Sequence, residues 1–192
     1  MRGNRSVWGA LALVVAAAAI APVGATTLIR MGLDDLAVEN ELVVAGRVVD
    51  AHSRWNADGT FILTDVTVAV DRVLKGRLAE GQEDVTLSVM GGTVGDRTVL
   101  IVAGPELVED ASYVLFLSRG DLPGAPGAMT VRDLCQGAFD LVDTPAGSRA
   151  ISQATRHPLL ADWRGAAQAP GGEMGIELDE LVRQVRRATT AR

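Results

Sequence analysis

The chain has 192 residues, enough to bury a sizeable apolar core in a domain of ordinary size. Its formal net charge is −6, so it lacks the excess of basic side chains on which affinity for nucleic acids and anionic membrane surfaces depends. It holds one cysteine, Cys135, which excludes a disulfide within the chain and leaves stability to packing.

Residues 1–25 have the three zones of a secretory signal peptide. Arg2 and Arg5 form a positively charged start, an uncharged apolar run covers Val7–Ala21, and the small residues that end the segment suit a signal peptidase. The apolar run is shorter than the roughly 20 residues that span a bilayer, which favours cleavage over a retained anchor. We therefore expect an exported protein, periplasmic or extracellular, that begins at Thr26; its net charge falls from −6 to −8 because two arginines are removed. No later apolar stretch reaches membrane length, so no integral membrane segment is expected after cleavage.

The sequence after residue 25 predicts one short helix followed by several strands. Leu33, Leu36 and Ala37 recur at helical spacing and predict a helix over residues 32–40. From Glu41 onward, short runs rich in β-branched residues alternate with glycine, proline and polar turns, a pattern typical of strands. The predicted strands are Leu42–Val49, Ile62–Val70, Val85–Val89, Thr98–Val102, Tyr113–Leu117 and a final pair, Met129–Arg132 and Gln136–Val142.

Turn chemistry joins the first two of these strands. The sequence Asn56-Ala57-Asp58-Gly59 ends in a glycine that can adopt a positive φ, so we expect a long hairpin with Trp55 near its tip. Several short strands with almost no intervening helix predict a mostly β fold. The long hairpin, a third strand and two later strands fit a small OB-like Greek-key barrel over residues 26–143, with a sandwich as the alternative.

The composition changes after the predicted barrel. Residues 144–175 are rich in Ala, Gly and Pro without sustained periodicity, which indicates a linker. Over residues 176–192, apolar positions at helical spacing, with acids early and arginines late, predict a C-terminal amphipathic helix. Such a helix packs against the barrel or docks on a partner, and the sequence leaves both open.

Motifs that carry catalysis or metal binding are absent from the sequence. Neither His52 nor His157 has a ligand-type partner at helical spacing, and there are no paired cysteines and no Gly-x-Ser-x-Gly elbow. Cys135, most simply a small buried apolar residue, would act as a nucleophile only if the fold brought a histidine to it. We therefore predict a protein that is not an enzyme and that binds no cofactor or metal.

The hairpin tip is the surface that the sequence singles out for binding. Trp55 is followed by Asn56 and Asp58, and an indole on an exposed loop is a frequent anchor in protein interfaces. Capping one end of the barrel is the alternative role for the indole. Trp55, Asn56 and Asp58 are the candidate binding residues, and another exported protein is the expected partner.

The order of several short motifs between Glu41 and Val142 resembles that of a known family. The motifs are Val43–Val48, Val68–Gly76 with its Val-Leu-Lys-Gly end, Gly91-Gly92, Gly104-Pro105, Tyr113–Leu117 and Gln136–Phe139. In this order and spacing they resemble a group of uncharacterised bacterial exported proteins. The pattern of that group is similar to the netrin-like module shared by the tissue inhibitors of metalloproteinases, and the resemblance covers about half of the chain.

The resemblance implies an OB-type barrel and a non-enzymatic role in binding another exported protein, such as a zinc peptidase. The inhibitors of that family hold the zinc of their target with an N-terminal cysteine, whereas this chain is expected to begin with Thr26. Inhibition by the same chelating mechanism is therefore excluded. Our leading hypothesis is an exported protein-binding module, accessory to or an inhibitor of a secreted metallopeptidase. The alternative is a structural component of the cell envelope without a single specific partner.

Overall fold

The structure, a computed structural model, describes residues 30–157 and 174–190. Strands dominate this part of the chain, which confirms the predicted mostly β fold. Its α-helices are α1 (Leu33–Glu39) and α2 (Leu178–Thr190), and 3-10 helices cover Leu134–Gly137 and Gln153–Arg156. The strands are β1 (Leu42–Trp55), β2 (Ile62–Lys75), β3 (Asp84–Met90), β4 (Gly92–Val94), β5 (Arg97–Val99), β6 (Ser112–Leu122), β7 (Ala125–Val131), β8 (Ala138–Thr144), β9 (Gly147–Ser152) and β10 (Ile176–Glu177).

The strands form one antiparallel sheet and a separate hairpin. The sheet has the order β10-β9-β8-β6-β1-β2-β3, β7 also pairs with β6, and β4 pairs with β5 apart from the sheet. β1 and β2 are each 14 residues long, and register shifts after Val43, Ala45 and Val48 bend them. The curled sheet brings β3 beside β7. Within the described residues no backbone pairing joins these two strands, so closure into a barrel is not observed.

Gly46 lies at one of the register shifts, where β1 and β2 approach each other closely. A Cβ atom added to Gly46 would lie 2.2 Å from the carbonyl oxygen of Ala69 and 3.0 Å from Cγ1 of Val68. The first distance is far inside van der Waals contact and involves backbone that cannot rotate away. The close approach of β1 and β2 at this position therefore requires glycine.

The sheet buries apolar side chains on both faces, and β6 shows how. Val114 and Phe116 belong to one core, which lies between the sheet and the two α-helices. Tyr113, Leu115 and Leu117 belong to a second core, formed mainly by β1, β2, β3 and β6. β6 pairs with β1, β7 and β8, so it is central, as its uninterrupted apolar sequence predicts.

Both α-helices cover the first core. Leu36 of α1 and Leu181 and Val185 of α2 are buried there. The burial of its apolar stripe shows that α2 packs on the sheet, a point that the sequence leaves open. The predicted C-terminal helix begins later than expected, since the first two residues of the segment form β10 against β9.

The linker predicted over residues 144–175 is wrong for its first part. Gly147–Ser152 form β9, which pairs with β8 in the main sheet, and a 3-10 helix follows. Ala150 is fully buried in the first core, so the small side chains that suggested a linker instead let α2 approach β9. Residues 158–173, like the predicted signal peptide at residues 1–25, lie outside the described residues.

The last two predicted strands do not form a pair, which corrects the expectation for Met129–Arg132 and Gln136–Val142. β7 forms a hairpin with β6, whereas β8 pairs with β6 and β9. Between β7 and β8 the chain turns sharply, because Asp133 and Leu134 adopt φ values of 57° and 62° where the 3-10 helix Leu134–Gly137 begins. Two consecutive non-glycine residues with positive φ are a strained arrangement that sequence patterns do not reveal.

Lys75, the only lysine, is bonded to the end of α1. Its Nζ donates to the backbone carbonyl oxygens of Ala37, Val38 and Asn40 at 2.7, 3.0 and 2.5 Å. These acceptors lie at the C-terminal end of the helix, where the helix dipole favours a cation. The ammonium group therefore fixes α1 to the end of β2.

Candidate functional site

The structure places the predicted binding residues at the tip of the β1–β2 hairpin, where Asn56 builds the turn. Oδ1 of Asn56 accepts hydrogen bonds from the backbone N–H groups of Thr60 and Phe61 at 2.9 and 3.1 Å. Nδ2 of Asn56 donates to the carbonyl oxygen of Pro123 at 3.2 Å. Asn56 is buried and its polar atoms hold the turn, whereas Trp55 is half-buried and Asp58 is exposed. Binding through this tip stays a prediction.

A second surface, which the sequence did not single out, lies between β5 and β6. Residues 100–108 form a loop there, which we call the apolar loop. The exposed fractions of Leu100, Val102 and Val108 in this loop are 87%, 67% and 62%. Among the large apolar side chains of the described residues, only Met174 is comparably exposed. All three side chains line one groove, and a contiguous exposed apolar patch is typical of an interaction site.

The turn at the centre of the apolar loop has a strained backbone, and a hydrogen bond from a residue outside the loop holds it in place. The N–H of Gly104 donates to the carbonyl oxygen of Ile101 at 3.0 Å, and Ala103 between them is buried with a φ of 61°. The carbonyl oxygen of Ala103 accepts a hydrogen bond from the N–H of Cys135 at 2.8 Å. A non-glycine residue with positive φ persists only where its surroundings enforce it, and strain of this kind clusters at functional sites.

Two further contacts hold the second half of the apolar loop. The side-chain amide of Gln153 bonds both backbone groups of Glu106: Oε1 accepts from the N–H at 2.9 Å and Nε2 donates to the carbonyl oxygen at 2.8 Å. The N–H of Val108 donates to Oη of Tyr113 at 2.9 Å. The backbone is therefore held at Ala103, Glu106 and Val108, while the side chains of Leu100 and Val102, just before the first of these points, and of Val108 stay exposed. A loop held in this way loses little entropy when it binds.

The apolar loop forms one wall of a groove of about 590 Å³. The ends of β2 and β3 form the opposite wall, where Val66 and Val89 continue into the second core. The groove is thus apolar at its floor and exposed at its rim. This combination suits the side chains of a bound protein segment better than a charged small molecule.

A smaller groove of about 250 Å³ adjoins it and brings Cys135, His157 and Glu106 into one lining, together with Gln153 and Arg156. From the sequence, a nucleophilic role for Cys135 requires a histidine beside it, and His157 lies in the same lining. The thiol is nevertheless buried, and burial raises the pKa of the Cys135 thiol above its ordinary value. Because the thiolate is the nucleophile, a buried thiol with a raised pKa does not favour catalysis here.

Slow thiol–disulfide exchange is the expected behaviour of Cys135. The thiol of the folded protein should react with a disulfide-exchange reagent at pH 8 at least about tenfold more slowly than the same thiol in denaturant. The folded protein should also reach its plateau rate at a higher pH, because less thiolate is present at any given pH. A folded rate equal to that of the denatured control would contradict this and would make a nucleophilic role with His157 the better hypothesis.

The chain matches no protein-family model and no curated protein sequence. Within residues 30–157 and 174–190, no group of three or more His, Cys, Asp or Glu side chains is placed to hold a metal ion. In the same ranges, no helix has both the length and the apolar character needed to cross a membrane.

The sequence patterns miss the apolar loop because they predict a strand over Thr98–Val102. β5 in fact ends at Val99, and the following residues lose their pairing partner. The contacts that hold the loop come from Tyr113, Cys135 and Gln153, which lie far along the chain. The sequence signal that could have drawn attention to the loop is the Gly104-Pro105 break directly after the apolar run Val99–Ala103.

Proposed function

We propose that this protein is a non-enzymatic protein-binding module whose contact surface is the apolar loop. The observation that carries the proposal is the exposure of Leu100, Val102 and Val108 on a backbone held at three points. An apolar patch that is exposed and rigid contributes to binding by burial without a large ordering penalty. The hairpin tip with Trp55 is the second candidate surface.

The proposal includes the predicted setting of the protein. We infer an exported module, accessory to or an inhibitor of a secreted peptidase, because the resemblance to the netrin-like module points in that direction. We also propose that the strands belong to an OB-like Greek-key arrangement. Support comes from the long coiled β1–β2 hairpin, the meander β1-β2-β3, the return of β6 beside β1, and the position of β3 next to β7.

Removing the exposed apolar groups tests the proposal. The double variant Leu100→Ser/Val102→Ser should fold normally and lose at least about tenfold in affinity for a partner purified from exported material of the native organism. The matched control is Val49→Ser/Val142→Ser, which removes two exposed apolar groups on β1 and β8. We expect the control to bind as the unaltered protein does, measured by biolayer interferometry.

Other outcomes separate the candidate roles. Binding that survives the loop variant but disappears in Trp55→Ala would place the interface at the hairpin tip and overturn the assignment of the apolar loop. A protein that binds no exported partner saturably would favour the alternative of a structural envelope component.

A further inference from the structure

The grooves beside the apolar loop hold a carboxylate that the fold does not use. Glu106 is exposed at the border of both grooves, and within the described residues its carboxylate has no hydrogen bond or ion pair. The backbone of Glu106 is fixed at both its N–H and its carbonyl oxygen by Gln153. The carboxylate is therefore presented from a rigid position at the rim of an apolar groove.

Charged side chains near the apolar loop already have partners, unlike the carboxylate of Glu106. Glu109 accepts a hydrogen bond from the N–H of Ala51 at 3.2 Å, and Asp110 pairs with Arg47 at 3.0 Å. Arg156, the arginine in the lining of the smaller groove, is paired with Asp140. None of these groups is bonded to the Glu106 carboxylate, which can therefore accept a cation from a bound partner.

Resting on the proposed function, we propose that the groove binds a partner segment that combines apolar side chains with a lysine or arginine. The apolar side chains contact Leu100 and Val102, and the cation pairs with the Glu106 carboxylate. An acidic segment would instead meet a free carboxylate on a protein whose net charge is −6. Glu106 therefore acts as the residue that selects the charge of the partner, whereas the apolar loop supplies most of the affinity.

A peptide selection tests this assignment without knowledge of the natural partner. The purified protein would be used to select from a library of random linear peptides, with Leu100→Ser/Val102→Ser as the counter-selection. We expect loop-dependent peptides to be apolar and enriched in lysine or arginine. Synthetic copies of one such peptide, and of a version with its cation replaced by glutamine, would then serve as the probes in fluorescence anisotropy.

Charge variants at Glu106 give the decisive readout. Glu106→Gln should weaken the basic peptide about fivefold and leave the glutamine version unchanged. Glu106→Arg should reverse the selection toward acidic peptides, a gain that misfolding cannot produce. Glu80→Gln is the matched control, because Glu80 is an exposed carboxylate on the β2–β3 connection, at the far end of β2 from the groove.

The possible failures are distinguishable. Loop-dependent peptides without a charge preference, or equal affinities in Glu106→Gln and the unaltered protein, would overturn this inference and leave the proposed function standing. A selection that yields no loop-dependent peptide would overturn the proposed function itself. Self-association that sedimentation shows to require Leu100 and Val102 would identify a second copy as the occupant and overturn the basic-segment assignment.

Discussion

Replacing Phe139 by alanine is expected to lower the free energy of unfolding by about 3–5 kcal/mol. Phe139 lies on β8 and is fully buried in the core between the sheet and the α-helices. Its ring packs against that of Phe116, with a centroid distance of 5.5 Å and an interplanar angle of 47°. The change would leave a cavity that β6 and β8, paired through Val114 and Leu115, are poorly able to close.

Guanidinium unfolding followed by far-UV circular dichroism measures this loss. The matched control is Phe61→Ala, because Phe61 is a half-buried phenylalanine in the hairpin turn and should lose clearly less stability. Equal losses for the two variants would mean that the face of the sheet under α1 and α2 is not tightly packed. Such a result would also undermine the docked position of α2.

The second large effect is expected at Gly46. A methyl group in Gly46→Ala would collide with the carbonyl oxygen of Ala69 across the long hairpin, so β1 and β2 must separate where they bend. We expect a loss of about 2–3 kcal/mol in the free energy of unfolding. The φ of Gly46 lies outside the left-handed region, so the cause is crowding between strands rather than backbone conformation.

A second glycine isolates that cause. Gly81 has a φ of 78°, but nothing lies within 4 Å of the position that its Cβ would occupy. Gly81→Ala therefore tests backbone strain without crowding and should cost roughly 1 kcal/mol, less than Gly46→Ala. Thermal unfolding of both variants in parallel measures the difference. A harmless Gly46→Ala would show that the two strands are farther apart than the structure places them.

Helices and strands that follow from the apolar pattern of their own residues were predictable from the sequence. The apolar run Tyr113–Leu117 indicates a central strand, and β6 is one. The spacing of Leu33, Leu36 and Ala37 indicates α1, and these side chains are buried together. The helix α2 was likewise predictable, because the spacing of its apolar residues matches the period of an α-helix.

Elements that depend on distant neighbours were not predictable in the same way. β9 is a strand because α2 and β8 cover its small side chains, and Ala150 alone carries little strand preference. The apolar loop is exposed because Cys135 and Gln153 hold its backbone in a turn with positive φ at Ala103. Local patterns contain no information on such hydrogen bonds, so the candidate site emerged only from the fold.

The three hydrogen bonds of Lys75 have a practical consequence for attaching this protein to a surface or a dye. The chain has no other lysine, so the α-amino group is the only other amine at which acylation or reductive alkylation can occur. A reagent must first displace Nζ from the carbonyl oxygens of Ala37, Val38 and Asn40 to reach the side-chain amine. Amine coupling is therefore directed to one end of the chain, and a sensor surface prepared this way presents the molecules in a common orientation.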